Sequence, residues 1–176
     1  MRRWFVGPAV LVLLGFAASP LFASTLGEKQ QETSFSASYV DTEDVGKTTQ
    51  ADGQWQWIFG KGYHEVGGVL SYLELDPDSG SSSDAIILGP VYTFNWFPDN
   101  EAVTGFVEGS FGFVNGDLGD FFDTAWEASI GAKVFAGDSA AVRFDYFFQE
   151  LMGADNFDDQ ESNGLRVGIS IFFGSK

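Results

Sequence analysis

Residues 140–151 read AAVRFDYFFQEL, and the alternation within this stretch decides the fold. From residue 142 to residue 148 every even position is apolar or aromatic. The charged residues Arg143 and Asp145 and the amide Gln149 stand at odd positions. A period of two places alternate side chains on opposite faces of a β-strand. The stretch therefore predicts a strand with one apolar face and one polar face.

The same alternation recurs in seven further segments after Ala23, and no stretch there has helical spacing. The segments are about Thr33–Asp41, Gly53–Gly60, His64–Leu75, Asp84–Phe97, Ala102–Val114, Thr124–Phe135 and Gly164–Gly174. Pro90 lacks the N–H that a ladder needs, so a local irregularity is expected inside its strand. Together with residues 140–151, these segments predict an all-β protein of eight antiparallel strands.

The predicted connections between the strands alternate in length. Long polar connections span about Asp41–Asp52, Asp76–Asp84, Asn115–Asp123 and Met152–Asn163, whereas tight turns lie around 61–62, 98–101 and 136–139. In an up-and-down barrel with both termini at one end, every long loop then lies at the opposite end. Transmembrane barrels of bacteria have this arrangement, with short periplasmic turns and long external loops.

The apolar face of the predicted strands is too rich in aromatic residues to fill the inside of a small barrel. An eight-stranded barrel has an interior just wide enough for side chains. The opposite face is mostly Ser, Gly, Thr, Gln and Ala, which suits a compact polar interior. The pattern favours lipid outside and polar packing inside. A soluble, lipocalin-like binder, with its apolar face inward, is the alternative.

The N-terminus has the pattern of a secretory signal peptide. Two arginines follow Met1, then comes the apolar run Val10–Phe16 and a small-residue region that ends near Ala23. The run is too short for a membrane-spanning helix, which needs about 20 residues. We expect residues 1–23 to be removed and residues 24–176 to form a single barrel domain.

Composition excludes several classes of function. The chain has 25 acidic residues against 9 Lys and Arg, a formal net charge of −16, and no cysteine. The acidic balance argues against binding nucleic acid through phosphates. The lack of cysteine excludes a disulfide framework and a thiolate metal site. No cofactor and no metal site are expected.

In its alternating strands and loop lengths the chain resembles the small eight-stranded outer-membrane barrels of Gram-negative bacteria, typified by the OmpA transmembrane domain and OmpX. The C-terminal segment 166–173, RVGISIFF, resembles the signal read by the outer-membrane insertion machinery, with Arg166, Gly168, Ile171 and Phe173 at its characteristic positions. Gly174-Ser175-Lys176 departs from the pattern, because such barrels usually end on the aromatic residue. The resemblance implies an outer-membrane monomer whose partners are lipid, lipopolysaccharide, the insertion machinery and periplasmic chaperones.

Six charged residues fall on the predicted interior face of the last four strands: Glu108, Glu127, Lys133, Arg143, Asp145 and Arg166. Unpaired charges there would be costly, so we expect a network of ion pairs and hydrogen bonds. In the barrels that this chain resembles, such a cluster occludes the lumen. The simpler interpretation is that these residues form a structural plug. The alternative is that they gate a porin-like path for ions or small solutes.

The remaining candidates for chemistry are the acidic loops and one histidine. The segments Asp117–Asp123 and Asp155–Glu161 could hold Ca²⁺, although neither has EF-hand spacing, and a solvated acidic surface is the default. Some small outer-membrane barrels modify lipid A with a histidine, but His64 is expected at the periplasmic rim. No catalytic residue is assigned. The sequence therefore predicts a non-enzymatic structural or surface-interaction protein; a narrow pore and a lipid A-modifying enzyme are the alternatives.

Overall fold

A computed structural model describes residues 26–27, 30–42, 46–77, 81–154 and 158–174. Within these ranges the chain forms eight strands that close into an antiparallel up-and-down barrel. The strands are β1 (Gln31–Thr42), β2 (Gly46–Phe59), β3 (His64–Pro77), β4 (Ser83–Trp96), β5 (Val103–Asn115), β6 (Phe122–Gly137), β7 (Ala140–Gly153) and β8 (Gln160–Phe173). The all-β, eight-stranded prediction is confirmed. The predicted signal peptide, residues 1–23, lies outside the described residues.

Each strand pairs with its neighbours in the chain, and β1 closes the barrel against β8. The closing ladder runs from Gln31 opposite Phe173 to Ala37 opposite Val167. One 3-10 helix, Asp117–Asp120, follows β5 and tucks the buried Leu118 toward the lumen. Among the residues that the structure describes, no helix is long and apolar enough to cross a membrane.

The strands reach further than the sequence pattern predicted. The predicted long loop at Asp41–Asp52 is wrong, because β1 runs to Thr42 and β2 begins at Gly46. Its residues form a ladder with both neighbours, for example Thr49 opposite Tyr39 and Glu74. The strands contain 12 to 16 residues, more than the roughly 9–11 that a transmembrane strand needs. The strand extensions at this end are polar, so their sequence resembles that of a loop.

The expected irregularity at Pro90 is present in the ladder between β4 and β5. Pairing passes from Leu88–Phe113 to Val91–Ser110, so Gly89 and Pro90 have no partner on β5. Both residues keep their partners on β3. The missing N–H of proline is thus tolerated on one side of the strand.

The two faces of the barrel wall differ in chemistry. Large apolar and aromatic side chains cover the outside, among them Phe35, Trp55, Trp57, Phe59, Tyr72, Leu88, Phe113, Ile130, Tyr146, Leu165 and Phe173. The polar face of each strand is buried in the lumen, as in β1, where Glu32, Ser34, Ser36 and Ser38 are all under a tenth exposed. In the middle section of the barrel, polar residues therefore lie inside and apolar residues outside.

Apolar side chains occupy both ends of the lumen. At the end with the short turns, which we call the turn side, the cluster comprises Leu26, Ile58, Phe135, Ala141 and Phe172. At the opposite end, the loop side, it comprises Leu73, Ala85, Ile87, Val114, Leu118, Phe122, Ala125 and Leu151. The polar section of the lumen therefore lies between two apolar layers.

Candidate functional site: an ion-paired lumen

The polar section of the lumen contains more acids than bases. Its ion pairs join six carboxylates (Glu32, Asp52, Glu65, Glu108, Glu127 and Asp145) to three cations (Lys133, Arg143 and Arg166). The cations come from β6, β7 and β8, whereas the carboxylates come from six different strands. Barrel closure is therefore what brings the network together.

Arg166 joins three carboxylates on the loop side of the network. Its guanidinium nitrogens lie 2.8 Å from Asp52, 2.7 Å from Glu127 and 2.8 Å from Asp145. Neutral side chains complete this group, since Gln50 donates to both Asp52 and Glu127. A planar guanidinium with five N–H donors suits several carboxylates at once, which an ammonium would do less well.

Arg143 occupies the middle of the lumen. Its Nη2 lies 3.2 Å from Glu108, and its Nε lies 3.4 Å from Asp145 Oδ1 without hydrogen-bond geometry. Glu108 also accepts hydrogen bonds from Gln54 Nε2 at 2.8 Å and Thr93 Oγ1 at 2.7 Å. Both oxygens of Glu108 are therefore satisfied by donors, as an ionised carboxylate in a dry site requires.

Lys133 forms a separate group on the turn side of the lumen. Its Nζ contacts Glu32 and Glu65 together, and the Glu65 oxygen lies 2.7 Å away. Ser170 Oγ donates to Glu32 at 2.6 Å, and Asn95 Nδ2 donates to Glu65 at 2.6 Å. This group of side chains comes from β1, β3, β4, β6 and β8.

Two aromatic rings lie among the cations. Phe106 packs 5.5 Å from Lys133 Nζ and 4.7 Å from Arg143 Cζ, measured to its ring centroid. Phe147 packs 5.2 Å from Arg166 Cζ. Cations over ring faces are attracted by the ring quadrupole, and the rings also fill volume that water would otherwise occupy. The lumen is thus packed with side chains along its polar section.

All six charged residues that the sequence analysis assigned to the interior lie in this network. Glu32, Asp52 and Glu65, which supply half of the carboxylates, are not among the predicted interior residues. The sequence pattern places Asp52 in a loop and Glu32 just outside the first strand. The alternation of the strands could have identified two of them. Asp52 shares a face with Gln54 and Gln56, and Glu65 lies on the opposite face of its strand from Val66.

The predicted insertion signal lies on the closing strand, β8. Arg166 and Gly168 face the lumen, whereas Ile171 and Phe173 face outward. Packing also requires a glycine at position 168, because a Cβ there would collide with the carbonyl oxygen of Phe35 and the Cβ of Ser36. The recognition of this segment by an insertion machinery stays a prediction.

His64 lies on the outer surface at the turn-side end of β3. Its Nδ1 is 2.7 Å from the Tyr92 hydroxyl, and its ring stacks 5.3 Å from Phe59. Its partners are thus the aromatic side chains of the outer rim. Among the described residues, no group of three or more His, Asp or Glu could hold a metal ion. Asp155, in one of the proposed calcium loops, lies outside them.

Among the solved structures that match this chain are two barrels of similar architecture. The N-terminal β-barrel domain of Pseudomonas aeruginosa OprF matches with a TM-score of 0.52 and 12% identity, over 84% of this chain and 99% of that one. Neisserial surface protein A, NspA, matches with a TM-score of 0.54 and 12% identity, over 81% and 94%. The fold is that of the small outer-membrane barrels. No protein-family model matches the chain, and no curated protein matches it.

Proposed function

We propose that this protein is an exported outer-membrane barrel that is closed to solutes and has a structural or surface-interaction role. Residues 1–23 serve as a cleaved signal peptide, and residues 24–176 form the membrane domain. The acidic loop side faces the outside of the cell, and the turn side faces the periplasm. The proposed role includes no catalysis.

The single observation that carries this proposal is the polarity of the barrel wall. Leu88, Ile130 and Leu165 are more than half exposed on the outside, while Lys133 and Arg143 are fully buried within. In water, such an outer surface would be an apolar patch far larger than soluble monomers tolerate. In a bilayer the same surface replaces lipid-to-lipid contacts, and a closed barrel satisfies its backbone hydrogen bonds internally.

The packing of the lumen supports a closed barrel rather than a pore. Ion pairs fill its polar section, and the apolar clusters around Phe135 and around Leu118 cover its two ends. A hydrated ion would have to displace both apolar layers and separate buried pairs, which costs several kcal/mol for each uncompensated charge. If the lumen is closed, the loop side is the surface that is left for interactions outside the cell.

The partners that we propose follow from this location. Lipid contacts the outer face, and lipopolysaccharide surrounds the loop side. Asp84, Asp117 and Asp120 make that end acidic, so divalent cations would bridge it to lipopolysaccharide phosphates. The insertion machinery reads Arg166, Gly168, Ile171 and Phe173 after periplasmic chaperones deliver the unfolded chain. The barrel acts as a monomer.

Membrane fractionation combined with electrophoresis tests the location and the barrel. The full-length chain is expressed in a Gram-negative host, and the purified mature protein is run with and without boiling. We expect recovery in the outer-membrane fraction and a heat-dependent shift in mobility, because a closed barrel resists unfolding by detergent. Recovery in the soluble periplasmic fraction without a shift would overturn the proposal and favour a soluble binder.

Liposome conductance tests the closed lumen. Reconstituted wild-type protein should be electrically silent, whereas the double variant Leu118→Ser/Phe135→Ser, which weakens both apolar layers, is expected to conduct more often. A steady conductance of the wild type would contradict the plug and support the porin-like alternative. Leu88→Ser, on the outer face, is the matched control and should leave the conductance unchanged.

A further inference from the structure

The turn-side group of the lumen has one positive charge for two carboxyl groups. Lys133 contacts both Glu32 and Glu65, which we call the turn-side acid pair. The next cation along the lumen is Arg143, whose own contacts are Glu108 and Asp145. Two ionised carboxyls beside one ammonium would leave one negative charge without a partner.

Solvent does not reach this excess charge. Glu65 and Lys133 are fully buried and Glu32 is 1% exposed. On the turn side the apolar cluster that includes Ile58 and Phe135 covers the group. An uncompensated carboxylate in such a place costs so much solvation energy that the group takes up a proton instead.

The hydrogen bonds of the acid pair identify which carboxyl is ionised. Glu32 has donors on both oxygens: Ser170 Oγ reaches Oε1 at 2.6 Å, and Lys133 Nζ contacts Oε2. Glu65 receives its donors, Lys133 and Asn95, on the single oxygen Oε1. A carboxylate accepts on both oxygens, so Glu32 has the surroundings of the ionised form.

Two buried oxygens of this group, one of them on Glu65, have no hydrogen-bond partner among the described residues. Glu65 Oε2 and Asn95 Oδ1 are both acceptors without a donor. The orientation of the Asn95 amide is set by its Nδ2, which donates to Glu65 Oε1 and to the carbonyl oxygen of Gly62 at 3.0 Å. Exchanging the amide atoms would place an oxygen against two other oxygens. Glu65 Oε2 is therefore the one carboxyl oxygen of the acid pair that no side-chain donor of the described residues reaches.

We infer that Glu65 is a proton-binding site of the lumen: it holds a proton on Oε2 at neutral pH, and Glu32 is the anion that pairs with Lys133. The proton removes the excess charge and makes Oε2 a donor. Glu32, which contacts the same Lys133 Nζ, offers carboxylate oxygens as acceptors beside it. The two glutamates thus share one proton and one ammonium, as close carboxyl pairs in proteins do.

This inference predicts that folding takes up one proton near neutral pH. In the unfolded chain Glu65 is exposed and ionised above about pH 5. The folded barrel then binds one more proton than the unfolded chain, so a rise in pH favours unfolding. Between about pH 5 and pH 7, this site alone raises the unfolding equilibrium constant by about tenfold for each pH unit.

Infrared spectroscopy of the mature barrel in detergent at pH 7 tests the protonation directly. A protonated carboxyl has a carbonyl stretch apart from the carboxylate and amide bands. We expect this band in the wild type and a weaker band in Glu65→Gln, whose amide can donate as the acid does. Glu108→Gln is the matched control and should keep the band, because both oxygens of Glu108 already accept from donors. No such band in the wild type, or a band of undiminished intensity in Glu65→Gln, would overturn the inference.

The pH dependence of urea unfolding provides the second measurement. From pH 5 to pH 7, the unfolding equilibrium constant of the wild type should rise about tenfold per pH unit relative to that of Glu65→Gln. Parallel profiles for the two proteins would overturn the inference. If Glu65→Gln fails to fold, the absence of the band in the wild type still overturns the inference.

The outcome is independent of the proposed function. The infrared band reports the lumen whether the barrel conducts or not, and conductance of the wild type would contradict the plug without removing the band. A silent barrel without the band would leave the plug intact and reject the proton site. The two proposals can therefore fail separately.

Discussion

The outer face and the lumen of this barrel are built from the same strands by opposite rules. On β6, Ile130 faces outward and is 55% exposed, while its neighbours Ser129 and Gly131 face the lumen. The outer side chains only have to be apolar, because an apolar surrounding such as lipid accepts any apolar group. The lumen side chains have to match individual partners, because a buried charge without one is costly. The comparison predicts that the lumen tolerates substitution less than the outer face.

The largest effect is expected at Arg166, the centre of the loop-side ion pairs. Arg166→Met leaves Asp52, Glu127 and Asp145 buried without their shared cation. Removing one partner of a buried pair costs about 3–5 kcal/mol in the free energy of unfolding. Urea unfolding in lipid vesicles, followed by tryptophan fluorescence, measures the loss.

Lys47→Met is the control for Arg166→Met, because Lys47 is an exposed basic residue near the loop side. It should change the free energy of unfolding by no more than about 0.5 kcal/mol. Equal losses in the two variants would contradict the ion-paired lumen.

A charge on the outer face should have the next largest effect. Ile130 lies at the centre of the apolar row of β6, between Ala128 and Ala132. Ile130→Arg is expected to cost about 2–4 kcal/mol, because its guanidinium would enter the bilayer midplane. The conservative change Ile130→Leu should be close to neutral, and both are measured by unfolding in vesicles. If arginine were as harmless as leucine, the outer face would not be in contact with lipid.

The smallest effect separates two buried serines of the lumen. Ser170 Oγ donates to Glu32, whereas Ser129 Oγ has no hydrogen-bond partner within the described part of the chain. Ser170→Ala should cost about 1–3 kcal/mol, because it leaves a charged acceptor unsatisfied. Ser129→Ala should be neutral or slightly stabilising. Similar values for the two variants in the same unfolding assay would show that individual partners do not matter in the lumen.

The fold and the orientation of side chains could be read from the sequence to a large extent. Alternation is a local property, so residues such as Val142, Phe144 and Tyr146 report their common face without any knowledge of their neighbours. The ends of the strands could not be predicted. Thr48, Thr49 and Gln50 are polar on both faces, and only their ladders with β1 and β3 show that they are strand.

The candidate site was predicted only in part for the same reason. Charged residues inside long alternating runs, such as Lys133 and Arg143, were assigned to the lumen by parity alone. Glu32 and Asp52 lie at the ends of the predicted strands, where the pattern weakens. Both residues belong to the network because β1 and β2 extend past the predicted boundaries.

By itself the sequence determined which side chains face outward and which face the lumen, because strand periodicity assigns each residue to a face. Only the tertiary structure decided which charges meet. Arg166 and Asp52 are 114 residues apart in the chain, and Lys133 and Glu32 are 101 apart. Their contact depends on how eight strands are staggered when the barrel closes, which is a property of the whole sheet and not of any segment.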